Sequence, residues 1–374
     1  MLDQPLSRRQ AIAILLMFNF GSSVVMGVST SVAQDSWLSL LLATAYALPV
    51  MLMYGRIVAL NPGETLFTAS ESQLGRFFGK AVTLLMTWYA LHLSALVLRN
   101  FSEFIQISSM LETPQLPVAG IMMLTVCALV RNGGKAVGKW AVATTPFVLG
   151  IVVLTVTFSI NIMDPKHFLP ILEHPIPQIA GDAFQVFSFP FAETVLFLSI
   201  ADFVKPGDKP IRIYVLAMLF SAVVLQVIIA RNLMVLGPAV VSVEYFPSYA
   251  AARIINLGDF LSRIEGSISV NFMLAGITKI AVCLIAASRG LASLFGIRSW
   301  RSMVLPSGLM ALMLSTILYN NTMEMFSFVK AYPYYALPFE VALPAALWAA
   351  SEIRARKAKR AAGSGEKAGA EARP

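Results

Sequence analysis

Residues 18–31 read FNFGSSVVMGVSTS, and they fall inside the first long apolar stretch of the chain. The flanking residues have the length and hydropathy of a membrane helix, yet two glycines and several serines sit in its middle. Glycine and serine weaken a helix, and in lipid a backbone group without a partner costs several kcal/mol. A breaker at half depth is a liability unless something uses the freed backbone. Residues 186–197, VFSFPFAETVLF, pose the same question. Pro190 lacks an N–H and clashes with the preceding turn. Glu193 adds a carboxylate near mid-membrane.

Composition sets the frame for both stretches. The 374 residues are 57% hydrophobic and only 13% charged, with mean hydropathy +0.73. Soluble domains are about 25% charged. The apolar residues come in blocks of about 20 separated by short polar bridges, the pattern of membrane helices. Ten spans are expected, at 10–33, 37–59, 79–109, 115–131, 139–161, 181–203, 211–236, 267–296, 302–320 and 333–352. The third and eighth are longer than a bilayer requires and are expected to tilt or project. The bridge 237–266 has room for a short surface helix. The first span is too long for a signal-peptide core and has no clear cleavage site, so no cleavable signal is expected. The reading is a single transmembrane domain over 1–355, followed by a basic, disordered cytoplasmic tail over 356–374.

Orientation follows from the basic residues. With the N-terminus in the cytoplasm, 21 Lys and Arg fall inside, among them Arg76, Lys80, Arg131, Lys205, Arg289, Arg301 and the tail. Only Lys166, Arg253, Arg263 and Lys330 fall outside, and Arg99, Arg231 and Lys279 lie in or near the membrane. Both termini are therefore expected to be cytoplasmic. The net charge of +8 is a topology signal and not a nucleic-acid surface.

The two interrupted spans are the first and the sixth, an offset of five, so these enter the membrane from opposite sides. The fold expected is an all-α integral membrane protein of ten transmembrane helices in a 5+5 inverted repeat, of the leucine-transporter type, with helices 1 and 6 broken. Freed backbone groups and half-helix dipoles at such breaks suit an ammonium and a carboxylate. The alternative is that Gly21 and Gly27 only let helices pack closely.

Several charges lie inside spans, where they are costly and usually face a cavity or a partner. His92, Arg99 and Glu103 share one face of the third span, and Arg99 and Glu103 form an i,i+4 pair. They line a ligand or water path, or they form a structural ion pair near the end of a long helix. Lys279, beside Thr278, either stands in for a coupling cation or pairs with an acid such as Glu193. Glu193 either caps freed backbone or binds a cation. His167 and His174 lie near Asp164 and Glu173, but no metal site is expected there. Cys127 and Cys283 fall inside apolar spans and are expected to be free and buried. With no nucleotide loop, Cys/His cluster or Ser-His-Asp spacing, no enzyme activity, cofactor or metal is expected.

Four stretches together carry a family resemblance: LSRRQAIAILLMFNFGSSVVM (6–26), LRNFSEFIQISSMLETP (98–114), FSFPFAETVLF (187–197) and FLSRIEGSISVNFMLAGITK (260–279). Their order and spacing, with the chain length, resemble the B subunit of nutrient germinant receptors of bacterial endospores. That family is a branch of the amino acid–polyamine–organocation transporter superfamily. The resemblance covers residues 5–355, with Phe272 where the family usually has tryptophan. It implies a subunit that binds a small nutrient, typically an amino acid, and signals germination. It implies A and C companion subunits and residence in the spore's inner membrane. It places the ligand between spans one and six, with spans three and eight closing the site. On this chain that implies Gly21, Ser22, Ser23, Gly27, Glu103, Phe189, Phe191, Ala192 and Thr278. These residues are mostly small, apolar or aromatic, which suits a small neutral amino acid such as alanine or a branched aliphatic one. A proton-coupled amino acid or polyamine permease would use the same scaffold. A water or ion conduit along the third span is a weaker third reading.

Overall fold

The computed structural model describes residues 5–110, 112–205, 207–255 and 264–371, with side chains described through Ala358. Among the described residues eight helices are long and apolar enough to cross a membrane: Arg8–Met26, Thr30–Leu60, Arg76–Ser108, Gly134–Ile162, Ile176–Phe203, Pro210–Leu236, Glu265–Phe295 and Thr322–Ala358. The expected spans four and nine correspond to α6 (Gln115–Arg131) and α13 (Val304–Ile317), of 17 and 14 residues. Both are shorter than the ~20 residues an isolated span requires.

The chain enters as α1 (Arg8–Phe20), opened by a capping box in which Ser7 and Gln10 satisfy each other's backbone N–H. The short α2 (Ser23–Met26) follows, then α3 (Ser36–Leu60), α4 (Leu66–Leu74), α5 (Arg76–Ser108), α6 and α7 (Gly134–Ser159). The second half runs through α8 (Ile176–Val186), an irregular segment to Phe203, α9 (Pro210–Leu236), α10 (Pro238–Val241), α11 (Pro247–Ile254), α12 (Glu265–Phe295), α13, α14 (Thr322–Leu337) and α15 (Leu343–Glu371).

Burial sorts these into two shells. In α1–α2, α5, the α8 span and α12, 78% to 83% of the apolar window is inside the protein; in the other four long apolar helices it is 28% to 44%. Every residue of α5 from Tyr89 to Phe104 and of α12 from Ala275 to Gly290 is buried. Helices apolar all round belong in the middle of a bundle. Both cysteines are free and buried.

Three boundaries differ from the sequence reading. The sixth span starts at Ile176 rather than 181, because Pro175 and Pro177 suit a helix N-terminus. The last starts at Thr322 rather than 333: Asn321 caps it by accepting from Glu324 N at 2.9 Å, and Pro333 is carried inside the helix. The stretch expected to be a disordered tail continues α15 through Glu371. Its Ala, Lys, Arg and Glu are good helix formers, and elongating an existing helix avoids the nucleation cost. The bridge after α9 holds α10 and α11. The latter is not a surface helix, because it buries Pro247, Ser248, Ala251 and Ala252. Arg263, one of the charges expected outside, lies outside the described residues.

Close approach of α3 and α9 depends on one residue. A Cβ on Gly55 would sit 2.5 Å from Ile211 Cα and 2.7 Å from its nitrogen, and backbone cannot swing aside. Gly55→Ala should lower the thermal midpoint of the detergent-purified protein, by about 1–3 kcal/mol of overpacking strain. Gly150→Ala, where a Cβ meets nothing within 4 Å, should leave it unchanged or raised. Equal behaviour of the two variants would show that the contact does not limit packing.

Candidate functional site

The first span stops being α-helical at Gly21, resumes over α2, and stops again at Gly27, whose φ of 74° suits glycine. The serines here satisfy the carbonyls this leaves. Ser23 Oγ donates to Asn19 O and, at 3.3 Å, to Phe20 O, while Ser248 Oγ on α11 donates to Val24 O. Ser22 differs: its hydroxyl is buried with no partner among the described residues. The sixth span loosens over Phe187–Phe191, where Phe189 takes an extended conformation (φ −111°, ψ 110°), and continues to Phe203 as a tighter 3₁₀-type helix.

The two interruptions meet at Lys279. Its side chain crosses from α12 beneath Gly21, and its ammonium pairs with Glu193. Both side chains are at most 1% exposed. A Cβ on Gly21 would lie 2.4 Å from Lys279 Cδ, so only glycine leaves room for the lysine. The ammonium also lies 5.1 Å from the Phe18 ring centroid and 4.8 Å from that of Phe189, within cation–π range. Of the alternatives for Lys279 and Glu193, the structure realises their mutual pairing.

A chain of buried oxygens extends from this pair. Tyr332 OH donates to Glu193 Oε1 at 2.6 Å, and Tyr89 OH lies 2.9 Å from Tyr332 OH. Tyr89 OH is also 2.8 Å from Glu340 Oε1, and Ser188 OH donates to Glu340 Oε2 at 2.8 Å. Tyr54 OH donates to the backbone carbonyls of Glu340 and, at 3.0 Å, Ala192. The network joins α3, α5, the sixth span, α12, α14 and the turn after it.

Two cavities lie beside it. The smaller, of about 30 Å³, is lined by Ser22 and Met26 of the first break, Phe189 and Glu193 of the second, and Leu93, Leu96, Val97 and Asn100 of α5. Met325, Phe328, Val329 and Tyr332 of α14 complete it, with Tyr319. The larger, of about 240 Å³, opens toward the Gly27 end, between Met26–Ser31, Asp182–Phe189, Ser242–Tyr245 and α14. Met26, Phe189, Val329 and Tyr332 line both and form the partition. Ser29, Ser31 and Ser39 all donate to Asp182 beside the larger cavity. At the opposite end the bundle is clamped. Arg289 Nη1 donates to Ser199 O at 2.7 Å and Asp202 Oδ1 at 2.6 Å, with its guanidinium 4.2 Å from the Phe203 ring.

The residues singled out from sequence divide accordingly. Ser22, Phe189 and Glu193 line the smaller cavity, and Gly27 and Phe189 the larger. Gly21, Ser23, Phe191, Ala192, Thr278 and Lys279 are buried behind those linings. Glu103 lies apart from both cavities, with Arg99 Nε 3.3 Å away and Gln115 and Thr322 donating to it. Its position one turn beyond Asn100 turns it toward α6 and the start of α14. His92 stacks on Trp88 (5.6 Å) and meets Tyr335 edge-on (5.0 Å). His174 and His167 bind separate partners, Asp35 and the Met234 carbonyl. Phe272 packs edge-on against Phe101 and Phe104. Sequence reasoning missed Glu340, although a carboxylate inside the last apolar block was a signal of the kind that marked Glu193. It also missed Tyr54, Tyr89, Tyr332 and Ser188, which have no local signature.

The profile of the spore germination protein family matches residues 5–324. The chain belongs to this family. Among curated proteins it is similar to spore germination protein KB of Bacillus subtilis (strain 168), 24% identical over 363 residues, or 96% of this chain and 97% of that protein. It is also similar to the putative spore germination protein YfkT of the same organism, 23% identical over 84% of this chain and 86% of that one. Two solved structures share the fold, each with TM-score 0.68. MhsT in complex with L-phenylalanine is 12% identical, covering 94% of this chain and 89% of that one. Mhp1, a nucleobase-cation-symport-1 family transporter with bromovinylhydantoin bound, is 14% identical over 91% and 78%. The spore germination family member is thus an all-helical protein of the leucine-transporter type.

A buried ion pair with each partner otherwise engaged makes a specific prediction. Lys279→Met or Glu193→Gln alone should destabilise the purified protein by about 3–5 kcal/mol, because each strands the other charge. The double variant should recover most of that loss. Additive losses in thermal unfolding would show that the two charges do not depend on each other.

Proposed function

We propose that this chain is the B-type membrane subunit of a nutrient germinant receptor. It binds a small neutral amino acid between the two helix breaks and passes the resulting change to A and C companion subunits in the spore's inner membrane. Family membership and full-length similarity to spore germination protein KB support the role. The Lys and Arg distribution supports a Gly27 end facing outward and termini in the cytoplasm.

One observation carries the site assignment. Ser22 presents an unpartnered buried hydroxyl to a cavity bordered by both breaks. A buried hydroxyl without a partner is costly, and a ligand carboxylate satisfies it. The remaining lining is mostly Leu, Val, Met and Phe, and Glu193 is already engaged by Lys279 and Tyr332. No free negative charge is left for a basic side chain, which favours a neutral ligand. At about 30 Å³ the smaller cavity holds a water or two. The ligand therefore enters through the larger cavity and displaces the partition of Met26, Phe189, Val329 and Tyr332. That displacement is the conformational signal: a ligand shifts an equilibrium by its differential affinity for the two states.

A proton-coupled permease is the second reading, favoured by the transporter identity of a fold neighbour. Saturable uptake of labelled amino acid into proteoliposomes, abolished by a protonophore, would establish it over the receptor. For the receptor, spores lacking this gene should lose their response to at least one nutrient. In a screen against purified protein, Ser22→Val should weaken nutrient binding tenfold or more, the effect of about 1.5–3 kcal/mol for a hydrogen bond to a charged group. Unchanged affinity in a folded Ser22→Val variant would remove the site assignment.

A further inference from the structure

Three oxygen–oxygen contacts run in line from Glu193 to Glu340. Glu193 Oε1 is 2.6 Å from Tyr332 OH, Tyr332 OH is 2.9 Å from Tyr89 OH, and Tyr89 OH is 2.8 Å from Glu340 Oε1. Each contact at such a distance requires one hydrogen. The two phenols supply only two. The third must sit on a carboxyl group. All four side chains are buried, so an oxygen pair with no hydrogen between them would bear the full penalty of a buried unmade bond.

The neighbours decide which carboxyl holds it. Lys279 places its ammonium on Glu193 Oε2 and favours the anion there. Glu340 has no cation in contact among the described residues; its Oε2 accepts from Ser188, and its backbone carbonyl accepts from Tyr54. The other titratable groups packed around the chain are Cys283, one turn beyond Lys279 on α12, and Tyr335 and His92 beside Tyr89. None of them contributes a second positive charge at Glu340.

We infer that the chain Glu193–Tyr332–Tyr89–Glu340 stores one exchangeable proton, resident on Glu340 while Lys279 is paired with Glu193. The hydrogens then all point one way: Glu340 donates to Tyr89, Tyr89 to Tyr332, and Tyr332 to Glu193. A concerted shift reverses them. The Glu340 O–H bond breaks as a new Tyr89 O–H forms, the original Tyr89 hydrogen passes to Tyr332, and the original Tyr332 hydrogen passes to Glu193. Both phenols end neutral, Glu340 ends as the carboxylate, and one proton has moved to Glu193. The ammonium of Lys279 then faces a neutral acid and loses its ion pair. The position of one proton thus sets whether the link between α12 and the sixth span, beneath Gly21, is charged. This goes beyond nutrient binding and does not rest on it.

Infrared spectroscopy of the purified full chain at neutral pH, without nutrient, tests the inference. The expected result is the carbonyl stretch of a neutral, buried carboxylic acid that shifts in heavy water. Tyr89→Phe removes the hydroxyl but keeps the ring that stacks on Phe339 at 4.9 Å. It should move the band to higher frequency, because the acid loses its acceptor. Glu340→Gln should abolish the band. A folded protein with no such band, or with a band that Tyr89→Phe leaves in place, overturns the inference. Since no nutrient is present, that outcome is separate from any failure of the ligand-site assignment.

Discussion

The ion pair of Lys279 and Glu193 is the constraint on which the centre of the molecule depends. Two opposite charges are buried together, and removing either side chain leaves the other uncompensated at high cost. Their meeting dictates what surrounds them. Gly21 must lack a side chain so that the lysine can cross. Phe18 and Phe189 offer ring faces to the ammonium. Tyr332 occupies the other carboxylate oxygen. The first span therefore breaks where it does for two reasons: backbone is freed beside a cavity, and space is made for a charge arriving from α12.

Eight long apolar helices were legible in the sequence, because apolar block length acts locally, and glycine and proline mark where two of them depart from regular α-helix, near Gly21 and Phe189. The pairing of Lys279 with Glu193 was visible as one option among several. What was hidden is tertiary. The serines of the first break look like ligand contacts, yet Ser23 is used on the Asn19 carbonyl and Ser22 alone is left open. Glu103 has the right helical face for a lining residue, but periodicity does not say which neighbour that face meets; here it meets Gln115 and Thr322. Tyr89 and Tyr332 lie 243 positions apart and find each other only in the fold. Span ends marked by caps rather than hydropathy, such as Asn321, were also misplaced.

The two cavities differ in what bounds them. The larger is edged by polar loops drawn in by Asp182, which gathers three serine hydroxyls. The smaller is walled by rigid, fully buried stretches of α5 and by α14. Their partition consists of side chains, not of backbone, so joining the two cavities requires rotamer changes rather than helix movement. Such motion is faster than collective movement of helices.

The clamp of Arg289 on Ser199 and Asp202 holds the end of the bundle opposite the larger cavity. A carrier must release its cargo at the far end, so its cycle has to break this contact on every turnover. A sensor has no such requirement. Moving a two-state equilibrium from one-sided to the reverse requires about 5.5 kcal/mol of differential affinity. Under the proposed function, a small neutral ligand held by Ser22 and an apolar wall has little to set against a partly buried guanidinium–carboxylate contact. Parting the bundle at this end therefore means giving up a charge-assisted contact that ties α12 to the end of the sixth span.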